Sequence, residues 1–308
     1  MEQAGNIQQA DVKNLKGLAV TTEDLIAEQK YLPYLSLKGN YVTSMNAGNV
    51  KSAFKGRGLE FEEVRAYMFG DDVRDIDWRV TARKLAPYTK VFSEEKDREI
   101  TVFLDLSATM VFGTRRELKS VTACRVAALL GWLTLRNKDR FGILIYDGKH
   151  NFYVKPQSNP QSLMYIFNKI AQTSQEILKK SYAGDISEAL NLLEYHQKGR
   201  NTIFIISDFF NYNKAKSEKI AMLAKKSKLY CINIFDVVEE VAPSGGVYAA
   251  QYDNQKVVFN SGAPDFRTSY HKYFKENREK IKKNCQKFLC KYIEIRTDVP
   301  FFKQLRLS

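Results

Sequence analysis

Two stretches of the 308-residue chain carry side chains whose types and spacing suit chemistry. In the first, Asp105 opens a DLSAT run in which Ser107 and Thr109 follow at steps of two, and Asp208 closes the apolar run NTIFIISD. That spacing turns one carboxylate and two hydroxyls toward a common point. Such an all-oxygen set suits Mg²⁺ or another hard divalent cation, which keeps several of its waters and accepts few protein ligands. The plainer use is capping, with Asp105 and Ser107 at a helix entry and Asp208 at its own loop. In the second stretch, GDDVRDIDW, Asp71, Asp72, Asp75 and Asp77 lie within seven residues, interleaved with Arg74 and Arg79. Carboxylates so dense serve either a metal-dependent nuclease, with Glu94, Glu95 and Lys96 nearby, or an ion-paired joint in which Asp and Arg neutralise each other. The interleaving favours a joint between domains built from Arg65, Asp71, Asp72, Arg74, Asp77 and Trp78, with Phe61 and Tyr67 packed on it.

The elements that must hold Asp105 and Asp208 read as alternating strands and helices. Apolar runs ITVFLDLS (100–107), FGILIYD (141–147), NTIFIISD (201–208) and LYCINIFD (229–236) alternate with helical patterns at 117–136, 160–173, 185–197, 214–227 and 265–290, and YIEIR (292–296) follows. Strand–helix alternation predicts an α/β fold with a doubly wound sheet. Near-continuously apolar strands are those of parallel sheets covered on both faces. Only a few residues separate FGILIYD from NFYVK (151–155), so that pair is an antiparallel hairpin at a sheet edge. A second hairpin is expected over 244–260, turning at Asp253 and Asn254. If the strands at 100–105 and 203–208 are central neighbours, both carboxylates face the crevice outside the strand ends, where open α/β sheets bind ligands.

Residues 1–98 read differently from 99–308. An amphipathic helix is expected over 11–30 (Val12, Leu15, Leu18, Leu25, Ile26), followed by a small β-rich module punctuated by Gly39, Gly48, Gly56, Gly58 and Gly70. Composition narrows the function classes. The longest uncharged apolar run, Val126 to Leu135, is ten residues, against about 20 for a membrane span. The opening MEQAGNIQQADVKNL lacks a basic n-region and an apolar h-region, so a cytoplasmic protein is expected. Its four cysteines, Cys124, Cys231, Cys285 and Cys290, are then reduced thiols. Lys plus Arg exceeds Asp plus Glu by 48 to 35, a net charge of +13. Nine of those cations against three anions fall between Asp265 and Lys291, where the apolar residues recur at helical spacing. That pattern predicts a core-facing stripe with a solvated basic back rather than a nucleic-acid surface. Walker A, HExxH and Gly-x-Ser-x-Gly motifs are absent, so no ATP hydrolysis or hydrolase chemistry of those kinds is expected.

DLSAT followed by MVFG, with ISDF at 206–209, resembles the metal-ion-dependent adhesion site of von Willebrand factor A-type domains, where an Asp-x-Ser-x-Ser loop and a later Asp surround a divalent cation. The longer block GRGLEFEEVRAYMFGDDVRDIDWRVTARKLAPYTKVFSEE (56–95) closely resembles the signature of the domain-of-unknown-function-58 family, bacterial proteins related to von Willebrand A domains and typically encoded beside MoxR-type AAA+ ATPases. The resemblance implies a von Willebrand A-like domain at 99–308 behind an N-terminal extension at 1–98. It also implies metal ligands at Asp105, Ser107, Thr109 and Asp208, with Asp185 nearby. Thr109 stands where the pattern has Ser and keeps the hydroxyl. Tyr182-Ala183-Gly184-Asp185 stands where the pattern has Gly-Gly-Thr-Asp, so Gly184 removes one ligand: either water, Ser181 or Asp185 replaces it, or the site is weak or empty. By the same resemblance the chain is a non-enzymatic partner of a MoxR-type AAA+ ATPase and of an unidentified client protein. The alternative is a nucleic-acid-binding protein or a metal-dependent nuclease using Asp71 to Asp77.

Overall fold

The computed structural model describes residues 16–35, 59–94, 98–197, 201–210, 212–252 and 255–307. The chain divides into two units, Gly39–Asp97 and a larger one made of Met1–Lys38 with Arg98–Ser308.

In the larger unit, β3 (Glu99–Asp105), β4 (Arg140–Tyr146), β5 (Asn151–Gln157), β6 (Thr202–Ser207), β7 (Lys228–Phe235) and β10 (Lys291–Arg296) form one sheet in the order β10-β7-β6-β3-β4-β5. The apolar runs become strands as expected, and all pairings are parallel except β4 with β5, the edge hairpin. Successive strand residues face opposite sides, so each strand feeds two cores. Val102, Leu104, Phe204 and Ile206 pack against α3 (Lys119–Arg136) and α4 (Pro160–Lys179). Phe103, Ile203, Ile205 and Cys231 pack against α5 (Ile186–His196), α6 (Lys214–Lys226) and α8 (Pro264–Lys287). Helix α3 is apolar almost all round because it is buried almost all round. Along α8 the Lys and Arg side chains are largely exposed while Ile281 and Cys285 are buried, the expected solvated basic back. The chain winds from β3 outward through β4, then returns to the other side of β3 as β6, with Leu104 opposite Ile206. Strand order therefore reverses between β3 and β6. Short α7 (Val237–Glu240), the β8 (Val247–Tyr252) and β9 (Gln255–Asn260) hairpin and α9 (Phe301–Gln304) complete the unit. The turn expected at Asp253 and Asn254 lies outside the described residues. No helix among the described residues is long and apolar enough to cross a membrane.

The N-terminal helix differs from its expectation. Residues 11–15 lie outside the described residues, and α1 runs only over Thr22–Ala27, started by a capping box between Thr21 and Asp24 and followed by a 3-10 turn, Glu28–Tyr34. Leu25 and Leu32 are buried in the same core as α3 and α4. Arg136 donates to the Leu32 carbonyl at 2.7 Å, and Arg125 bridges Glu28 and Glu117 at 2.7 Å each. Segment 16–35 thus belongs with the α/β sheet rather than with the β-rich module. The 1–98 division followed chain continuity, whereas buried contacts decide membership.

In the small unit, β1 (Leu59–Ala66) and β2 (Tyr88–Glu94) form an antiparallel ribbon. The connection between them, 67–87, contains a 3-10 turn, Val73–Asp75, and α2 (Trp78–Lys84). Gly39, Gly48, Gly56, Gly58, Glu95 and Lys96 lie outside the described residues.

Candidate functional site

The strand-order reversal opens a crevice of about 340 Å³ at the carboxyl ends of β3 and β6. Asp105, Ser107, Thr109, Gly184, Asp185, Ser207, Asp208 and Lys216 all line it, so the structure brings the sequence-derived set together. Asp105 ends β3 and is 1% exposed. One carboxylate oxygen accepts the Ser107 backbone N–H at 3.0 Å, and the other accepts the Ser207 hydroxyl at 2.6 Å. Ser107 Oγ and Thr109 Oγ1 are 3.4 Å apart. Burial, and next the negative charge of Asp208, push the Asp105 carboxyl up to about 6. No described cation forms an ion pair with it.

Asp208 is situated differently. Its Oδ1 accepts the Phe210 N–H at 2.9 Å, and its Oδ2 lies 2.7 Å from the ammonium of Lys119, which also reaches Glu239 at 2.6 Å. Lys119 is 2% exposed. Burial disfavours its charge, but Asp208 and Glu239 together outweigh that and hold its pKa above the ordinary lysine value. Sequence reasoning missed Lys119, Ser207 and Glu239. A signal for Lys119 existed: it is the first residue of α3, where the helix dipole disfavours a cation, so a compensating anion had to be near.

At Gly184 a side chain has no room, because a Cβ there would collide with the Gly148 carbonyl and the Tyr146 hydroxyl. The missing Thr is therefore sterically excluded. Asp185 caps α5 through the Ser187 N–H at 2.9 Å, with the Lys216 ammonium 3.9 Å away. Ser181 is exposed and not among the lining residues. The Ala108 N–H donates to the Tyr182 carbonyl at 2.9 Å, tying the DLSAT loop to this segment. Oxygen donors, two of them hydroxyls, around a buried carboxylate that forms no described ion pair fit a hard divalent ion held partly through its own waters, while the Lys216 ammonium on the same wall donates to the Phe210 carbonyl at 2.6 Å. Among the described residues no group of three or more His, Cys, Asp or Glu is arranged for a metal. The histidines lie apart from the crevice: His150 on Asp147, His196 stacked on Tyr153, and His271 at the Glu240 carbonyl.

The acidic block is used otherwise. Arg65 pairs with Asp71 through two contacts of 2.8 and 2.9 Å, and Asp71 also accepts the Met68 N–H at 2.8 Å. Asp72 caps the 3-10 turn through the Arg74 N–H, and Asp77 caps α2 through the N–H groups of Arg79 and Val80, with Lys90 3.7 Å away. These bonds all lie inside the small unit and brace its own connection. Two expectations are corrected here. Arg74 is exposed and has no described carboxylate partner, since its backbone rather than its guanidinium meets Asp72. Trp78, expected to pack on the cluster, is 67% exposed because it leads a short helix.

A family model described as "Protein of unknown function DUF58" matches residues 63–280. The chain belongs to the DUF58 family. Uncharacterized proteins of Mycobacterium tuberculosis and Mycobacterium bovis are 29% identical to this DUF58 chain over 206 residues, 66% of it. That match spans 63% of those relatives' length. Among solved structures, BatB from Bacteroides thetaiotaomicron is similar at 16% identity over 65% of this chain and 90% of BatB, with a TM-score of 0.39. The SpRpn10 VWA domain is similar at 8% identity over 67% of this chain and 92% of that domain, with a TM-score of 0.35. The fold of this DUF58 chain is α/β, with a mostly parallel, doubly wound sheet.

Proposed function

We propose that this DUF58 chain is a non-catalytic protein-interaction module that acts in the cytoplasm with a MoxR-type AAA+ ATPase, in the assembly or maturation of other protein complexes. The reading rests on one observation: a buried carboxylate, Asp105, without a described cationic partner, facing an open crevice beside the Ser107 and Thr109 hydroxyls. A divalent cation there would supply a coordination position for a carboxylate of a partner protein. Ser107 and Thr109 would hold it directly, and Asp105 and Asp208 through water. Ser207 and the Ser107 N–H fix the Asp105 carboxylate in place before any ligand arrives. Lys119 neutralises part of the charge on Asp208, which weakens the pull on a cation and makes the affinity modest.

Calorimetric titration of Mg²⁺ into wild type, Asp105→Ala and Ser107→Ala, run beside pull-down of a MoxR-type ATPase from the same genome, tests the reading. The expected result is weak binding by wild type, lost in both variants, with capture reduced in parallel. Equal capture by all three proteins, with no divalent binding by wild type, moves the interaction away from the crevice.

A further inference from the structure

The connection 67–87 in the small unit is rich in exposed apolar side chains. Phe69 and Leu85 are almost wholly exposed, at 105% and 94%, and Met68, Val73 and Trp78 each expose more than half of their surface. Apolar exposure of this density marks a binding surface. The connection that carries all five starts and ends at one end of the β1–β2 ribbon, where the Tyr67 N–H bonds the Pro87 carbonyl at 2.9 Å, and its middle runs beside the start of β2, where Ile76 bridges Thr89 and the Asp77 N–H bonds the Tyr88 carbonyl at 2.8 Å. Residues 67 and 77 thus flank the start of β2 on either side, about two interstrand spacings (~10 Å) apart. Asp71, Asp72 and Asp77 turn their oxygens back onto the connection's own N–H groups and Arg65. Arg74, Arg79, Arg83 and Lys84 are exposed with no described carboxylate paired to their side chains. The side chains left facing outward are therefore apolar and cationic, four cations against the exposed carboxylates of Asp72 and Asp75.

We propose that this tip is a peripheral membrane anchor for anionic phospholipid surfaces. Aromatic and aliphatic side chains that protrude from a braced tip need no matching groove in a bilayer interface, and adjacent Arg and Lys meet the anionic headgroups. The net charge of +13 acts in the same direction. Asp71 and Asp77 serve as positioning residues, keeping Met68, Phe69 and Trp78 presented outward.

The test is co-sedimentation of the full chain with vesicles of phosphatidylcholine alone and of phosphatidylcholine mixed with phosphatidylglycerol. Trp78 emission is followed in a Trp132→Phe background, which leaves Trp78 as the sole reporter of the two tryptophans. Binding to the anionic vesicles only, a blue shift of Trp78 and loss of both at high salt are expected. Arg79→Gln with Arg83→Gln should weaken partitioning about 25-fold, about fivefold per charge. Phe69→Ser with Trp78→Ser, both exposed and so compatible with folding, should weaken it more than about tenfold. The proposal is overturned by wild type that ignores both vesicles, by equal binding to both, or by binding unchanged in Phe69→Ser with Trp78→Ser. Vesicle indifference combined with loss of ATPase capture in that double variant would assign the tip to a protein partner. Asp105→Ala should leave vesicle binding unchanged, so failure here is separable from failure of the crevice.

Discussion

The crevice and the tip of the small unit both concentrate aspartates, yet they use them in opposite ways. At the tip, Asp71, Asp72 and Asp77 direct lone pairs at the chain's own N–H groups and at Arg65, and their product is a hydrogen-bonded turn that displays apolar side chains. In the crevice, Asp105 is held by two donors and still faces open space as a buried charge, while Asp208 is shared with a buried ammonium. Carboxylate density is therefore a poor guide to a metal site. What matters is whether the lone pairs are already taken and whether the charge is already balanced.

The largest test of that contrast is Lys119→Met. Removing the buried ammonium leaves Asp208 and Glu239 uncompensated, at an expected cost of about 3–5 kcal/mol. Chemical denaturation measures it, and Lys119→Met with Asp208→Asn should recover much of the loss if the pairing is the cause. Next is pH. The Asp105 carboxyl sits at about 6 against an ordinary 3.8. As pH rises from about 4 to 6, the unfolded chain loses a proton that the native state still holds. Stability therefore falls with rising pH across that window, by about 2–3 kcal/mol, and levels off above it. Urea denaturation of wild type beside Asp105→Asn checks the sign, because the variant should lack this slope.

A third variant, Gly184→Thr, restores the residue type that the adhesion-site pattern carries. Overpacking against Gly148 and Tyr146 should cost about 1–3 kcal/mol, with no gain in Mg²⁺ affinity by calorimetry. Tighter Mg²⁺ binding would show that the segment can shift to seat a ligand. The smallest effects belong to the tip. Arg65→Ala breaks a half-exposed pair and should cost about 1 kcal/mol or less, and Arg74→Ala should stay within about 0.5 kcal/mol, both by urea denaturation. A loss of several kcal/mol at Arg74 would show that the tip's charges are buried by something beyond the small unit's own residues.

The sequence determined the six strands and the edge hairpin and allowed Asp105 and Asp208 to be neighbours, a pairing that the parallel register of β3 with β6 then decided. These follow from local signals: apolar runs bounded by turns, helical spacing between them, and the rule that doubly wound sheets reverse order at a central strand pair. The same local logic misassigned segment 16–35, because continuity with the β-rich module says nothing of which core Leu25 and Leu32 enter. It also gave Arg74 a side-chain partner that the backbone of the turn makes unnecessary. Only the tertiary structure decided that Lys119 neutralises Asp208 and Glu239, partners 89 and 120 residues away, and that Gly184 has no space for the ligand it lacks. Periodicity is written in neighbouring residues, whereas charge compensation and steric room are set by distant segments that meet only when the chain folds.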